Sequence, residues 1–175
     1  MLPSVRVLDE IFECWSPPVR RGVRLGVDVG TVRIGVARCD PDGLLATPVE
    51  TVRRGPGAVA ALCALAQQNA AMEVVVGLAV GLAGQEGRAA AAGRSFAREL
   101  AAGVAPTPVR LVDERFTTML AHAALRQGGR DSRARRESVD KAAAAVLLQG
   151  ALDAERSTGQ PAGQLVSTEG LADER

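Results

Sequence analysis

The chain has 175 residues, a length that suits one domain with loose ends. It is 47% hydrophobic but only 2% aromatic, which allows a core of Ala, Val, Leu and Ile, excludes disorder throughout, and disfavours base-stacking modules that read single strands. Cationic and anionic side chains number 21 and 20, a net charge of +1, so the total demands no polyanionic partner.

Residues 1–22, with the pair Pro17-Pro18 and the basic doublet Arg20-Arg21, show no sustained period and read as a loose N-terminal arm. Arg24 to Val29 is a strand candidate, Gly30-Thr31 a turn, and Val32 to Ala37 a second, alternating strand, together a hairpin signal. Leu44 to Val49 supplies a third strand, and Gly57 to Ala70 an Ala-rich helix. The β-branched run Glu73 to Leu78 suits a strand covered on both faces. A helix over Gln85 to Ala102, a buried strand over Val109 to Asp113 and a helix over Thr117 to Gln127, stopped by Gly128-Gly129, follow. A basic loop, Arg130 to Glu137, leads into a last helix from Ser138 to about Glu155. Residues 157–175 are polar and acidic and read as a disordered tail. The order βββαβαβαα predicts an α/β domain over residues 23–156, a mixed five-stranded sheet flanked by helices.

Three cysteines, Cys14, Cys39 and Cys63, with one histidine, His122, form no zinc-ligand pattern and read as reduced thiols, with an intermolecular disulfide as the alternative. No apolar run approaches a membrane span, and Asp9, Glu10 and Glu13 stand where a signal peptide is basic, so a cytoplasmic location and no membrane contact are expected.

Asp28 is the first chemical anomaly, since a carboxylate inside an apolar strand is costly to bury unless paired or bound to a metal. Gly26 and Gly30 leave room beside it; the plain alternative is an Asp satisfied by turn amides. Asp113-Glu114-Arg115 closes a strand, where α/β sheets keep their sites, although a helix cap with Arg115 paired to a carboxylate would explain it too. Asp140 opens the last helix, where the helix dipole already favours a negative charge. Ala143 and Ala144, one turn on, would let that helix approach the sheet closely. Carboxylates from a mid-strand position, a strand end and a helix start make an oxygen-only ligand set for Mg²⁺ or Mn²⁺, and two such ions suit phosphoryl chemistry. From Arg126 to Lys141 the charges are six positive and three negative, so Arg130, Arg133, Arg135 and Arg136 form either a solvated face or a phosphate grip beside Asp140, to which Arg33 and Arg38 add.

Leu25 to Ala37, Val74 to Leu78, Asp113 to Thr118 and Ser138 to Gln149, in this order, resemble the YqgF/RuvX proteins, Holliday-junction resolvase-like nucleases also described as pre-16S rRNA nucleases. The resemblance covers roughly residues 24 to 153. It implies a ribonuclease H-like fold whose central strand bears Asp28, and metal-dependent cleavage of structured nucleic acid, branched DNA or precursor rRNA. It also implies Asp28, Glu114 and Asp140 as the acidic triad, with Asp113 as a further ligand candidate. Two departures stand out: Ala79 to Gly84 replaces a turn that in the family contains Pro and Asn, and Arg33 stands where Lys is common. Cutting a four-way junction symmetrically needs two sites and hence a homodimer; trimming an RNA end needs one.

Two rival readings start from the same residues. Actin-like ATPases and sugar kinases open on a similar strand, turn and strand, but close two such domains around a nucleotide where about 130 ordered residues supply one. A non-catalytic nucleic-acid-binding module on the same fold would keep the acids as structural groups.

Overall fold

A computed structural model describes residues 19–78, 88–113 and 133–167. They form strands β1 (Arg24–Val29), β2 (Arg33–Cys39) and β3 (Ala46–Arg53), helix α1 (Ala58–Gln68), β4 (Glu73–Leu78), α2 (Arg88–Val104), β5 (Val109–Asp113), α3 (Arg133–Thr158) and β6 (Gln164–Leu165). The sheet runs β3-β2-β1-β4-β5-β6. The β1–β2, β2–β3 and β5–β6 pairs are antiparallel, while β1–β4 and β4–β5 are parallel. Three antiparallel strands followed by βα units therefore give a mixed α/β sheet with β1 and β4 at its centre.

Strand alternation divides the core in two. Leu25, Val27, Ile34, Val36, Val74, Val76, Val109 and Leu111 face one side and pack with Leu62, Leu65, Phe96, Ala97 and Leu100 of α1 and α2. Ala37, Cys39 and Val75 face the other and meet Ala144, Leu148, Ala151 and Leu152 of α3. Because β-strand side chains alternate, residues 24, 26 and 28 of β1 share the α3 face. Among the described residues, the face that carries Asp28 is thus covered by α3.

The structure departs from the sequence expectation in three places. The sheet has six strands, not five: β6 pairs Leu165 with Arg110 and Gln164 with Leu111. That strand and the end of α3 belong to residues 157–167, which composition places in a disordered tail; Val166 packs on the core and Val166 N–H donates to the Val109 carbonyl at 2.8 Å. The last helix begins at Arg133 rather than Ser138, because Arg-Ala-Arg-Arg is good helix-forming sequence. Residues 19–22 are likewise not loose: Gly22 N–H donates to the Pro41 carbonyl at 2.7 Å, and Arg20 is bound to two carboxylates. The helix expected over Thr117 to Gln127 and the turn Ala79 to Gly84 lie outside the described residues. No helix among the described residues is long and apolar enough to cross a membrane. Cys39 is buried and Cys63 half-buried, both as free thiols; Cys14 lies outside the described residues.

Candidate metal centre

Asp28 lies near the end of β1, half-buried and paired in register with Gly35 of β2. Both residues point to the α3 face, and here the helix comes extremely close. A β-carbon on Gly26 would lie 2.7 Å from Leu148 Cβ and 2.9 Å from the Ala144 carbonyl oxygen, and one on Gly35 would collide with the Asp140 carbonyl. A glycine inside a strand often marks such a close backbone approach. Gly26 and Gly35 therefore form a groove for the small-residue side of α3, and its outcome is to set Asp140 above the strand pair that bears Asp28. Ala144, expected to permit this approach, is completely buried.

Asp140 is the eighth residue of α3, not a first-turn residue, so the helix dipole does not account for its charge. Its partner is Arg33: the Arg33 Nε–H donates to Asp140 Oδ2 at 2.9 Å, with the two side chains 23% and 32% exposed. Arg33 stands two residues before Gly35 on the same face of β2 and so rises from the sheet beside the carboxylate. Arg38 belongs to the opposite face, where its guanidinium donates to Asn69 Oδ1 at 3.0 Å.

Asp113 ends β5 opposite Leu78 in register. It lines a cavity together with Val112 of β5 and Leu147, Gly150 and Ala151 of α3. Glu114, Arg115 and Arg130 lie outside the described residues, and of Arg133, Arg135 and Arg136 only the helical backbone is described. Among the described residues no group of three His, Cys, Asp or Glu side chains is positioned to hold a metal ion. The structure thus brings Asp28 and Asp140 to one face and ties Arg33 to Asp140. Carboxylate oxygens at a partly exposed sheet end fit a hard divalent cation, and the guanidinium on Asp140 marks a position where a cation is favourable. Sequence reading passed over Gly35 as a contributor, although a glycine two residues from a charged one inside a β-branched run is a legible sign of close approach.

At the other end of the same face lies a buried ionic cluster. Arg24 (1% exposed) bonds Glu155 Oε1 at 3.0 Å and faces Glu73 Oε2 at 3.6 Å. Arg20 bonds Glu155 at 2.9 Å and Glu73 at 2.7 Å, and Arg110 bonds Glu73 at 2.8 Å. Burial alone would raise the Glu155 carboxyl, but the hydrogen bonds from Arg20 and the charge of Arg24 outweigh it and hold it below the usual range. The cluster joins the N-terminal segment, β1, β4, β5 and the end of α3, anchoring the helix at the end remote from Asp140.

The mixed sheet, with antiparallel strands first and a long helix laid over the central Asp-bearing strand, defines a ribonuclease H-like α/β protein. The solved structure "T. thermophilus RuvC in complex with Holliday junction substrate" shares this fold, with a TM-score of 0.50 at 18% identity over 80% of this chain and 99% of that one. Residues 22–154 match the family model described as "RuvX: Holliday junction resolvase", and the chain belongs to this family. A protein of Thermobifida fusca (strain YX) named "Putative pre-16S rRNA nuclease" is 57% identical over 155 residues, spanning 85% of this chain and 98% of its own. A protein of the same name from Nocardioides sp. (strain ATCC BAA-499 / JS614) is 58% identical over 153 residues, again 85% and 98%.

Proposed function

We propose that this protein is a divalent-metal-dependent nuclease that hydrolyses phosphodiester bonds in structured nucleic acid, with Asp28, Glu114 and Asp140 as its ligand set. The observation that carries this reading is the seating of Asp140 over Gly35, the register partner of Asp28, which delivers carboxylates from positions 28 and 140 to one face. Glu114 follows Asp113 directly, at the C-terminal end of a parallel strand, where α/β sheets place their sites. Mg²⁺ or Mn²⁺, one ion or two, would supply activation of water and stabilisation of the leaving oxygen in an in-line displacement. Asp28 and Asp140 would hold the cation from strand and helix, Gly35 sets their separation, and in the metal-free protein Arg33 keeps the Asp140 carboxylate in place. Arg130, Arg133, Arg135 and Arg136, dense next to Asp140 in the sequence, would grip flanking phosphates, and Arg115, beside Glu114, would add to them.

The names of the relatives favour precursor 16S rRNA as substrate and the family description favours a four-way DNA junction. Both present closely spaced phosphates at a distorted backbone, and both suit a chain with few aromatic side chains. A homodimer belongs only to the junction reading, since symmetric cutting takes two sites.

The test is cleavage of a four-way DNA junction and of a precursor 16S rRNA fragment, each in Mg²⁺, in Mn²⁺ and in EDTA, with wild type and Asp28→Asn. Metal-dependent cutting that Asp28→Asn abolishes while retaining binding is expected. Undiminished cutting by the variant, or in EDTA, would overturn the reading, and binding without cutting under every condition would make the protein a non-catalytic module.

A further inference from the structure

Arg33 is held in an awkward place for a residue that contacts substrate. Its Nε–H is engaged by Asp140 Oδ2 at 2.9 Å, a carboxylate that the nuclease reading gives to a metal. The contact is a single bond through Nε and not a two-pronged fork, and both partners are partly exposed. Such a pair is weak. A divalent cation on the same carboxylate would compete with the guanidinium for oxygen and repel it as a like charge. Arg33 cannot retreat far, because its backbone is pinned in an interior strand, opposite Arg53 of β3 and two residues from the Gly35 position over which α3 is packed.

We propose that Arg33 is an exchangeable counter-ion: it pairs with Asp140 in the metal-free protein, and a divalent cation displaces it onto the substrate phosphate. The inference rests on the nuclease reading of the site. Before metal binds, Arg33 neutralises Asp140 and fixes its carboxylate above β2. After metal binds, a planar guanidinium that suits bidentate contact with phosphate stands free beside the ion. Seating the ion and preparing the phosphate contact become one event, so metal and nucleic acid each favour the binding of the other. Arg33 acts as a positioning residue towards Asp140 in one state and a substrate contact in the other.

The full chain is titrated with Mn²⁺ by calorimetry, without nucleic acid, as wild type, Arg33→Met and Arg33→Lys. Arg33→Met, lacking the competitor, binds Mn²⁺ more tightly, on the order of tenfold, whereas Arg33→Lys keeps the charge and stays near wild type. A labelled four-way DNA junction is then bound in EDTA and, before any cleavage, in Mn²⁺. Wild type and Arg33→Met bind it alike in EDTA, and only in Mn²⁺ does wild type bind several-fold tighter. Unchanged or weaker Mn²⁺ binding by a folded Arg33→Met, or a junction defect already complete in EDTA, overturns the exchange and leaves the nuclease reading intact. Failure of wild type to bind Mn²⁺ at all overturns both. Should Arg33→Met not fold, Arg33→Gln supplies the same comparison, since it too removes the charge.

Discussion

The backbone carbonyl of Asp140 rests on Gly35, so near that no β-carbon fits between helix and strand. This one contact determines how far the helix carboxylate stands from Asp28. Gly35→Ala should push α3 off β2, with an overpacking cost of about 1–3 kcal/mol in chemical denaturation. Cleavage should fall at least tenfold at temperatures where the variant remains folded. An alanine variant with wild-type stability and activity would show that the contact has slack.

Among the described residues Arg24 is the most deeply buried charge, held between Glu73 and Glu155. Removing one partner of a buried ionic group leaves the others uncompensated, so Arg24→Met should cost about 3–5 kcal/mol in urea unfolding. The loss should appear at the end of α3 remote from Asp140, so that hydrogen exchange rises first around Glu155.

The same cluster makes stability depend on pH. Glu155 has a folded-state affinity for protons below its unfolded value, so over that window the unfolded chain binds more protons and stability rises with pH. The contribution is present above the ordinary glutamate range and is lost as pH falls through the folded value. Unfolding free energy followed from neutral to acid pH should therefore decline, and Glu155→Gln should be less stable at neutral pH with a shallower decline. An equal slope in the variant would move the acid sensitivity to other carboxylates.

The arginines before Asp140 are testable through salt. If Arg130, Arg133, Arg135 and Arg136 neutralise phosphates, replacing all four with Gln should lower the slope of log binding constant against log salt by about 0.9 for each arginine in contact with duplex. Fluorescence anisotropy across a salt series reads this directly, and an unchanged slope removes them from the interface.

Much of this architecture was legible in the residues. Alternation in Leu25 to Val29 and Ile34 to Cys39 announces the hairpin, and a carboxylate at Asp28 within it marks the candidate site. The close approach that brings Asp140 to the sheet was legible in Ala143 and Ala144, and it is realised where Ala144 and Asp140 lie over Gly26 and Gly35; the helix dipole, the plain alternative for the charge of Asp140, does not apply at the eighth residue of the helix. The Arg33–Asp140 pair spans 107 positions and leaves no local trace, because contacts of that separation are set by topology and not by spacing. β6 escaped notice since two ladder residues with exposed side chains carry no hydrophobic period. Arg24 and Glu73 did leave a sign, each a charge at the head of an apolar strand, but only the parallel register of β1 and β4 brings them side by side.

The central claim is that Asp28 and Asp140 hold one cation between them. Mn²⁺ titration of Asp28→Asn, Asp140→Asn and the double variant tests it most directly, because ligands of a shared ion are strongly non-additive. Each single substitution should remove most of the affinity and the double little more. Wild-type affinity in either single variant, or losses that simply add, would contradict the shared site.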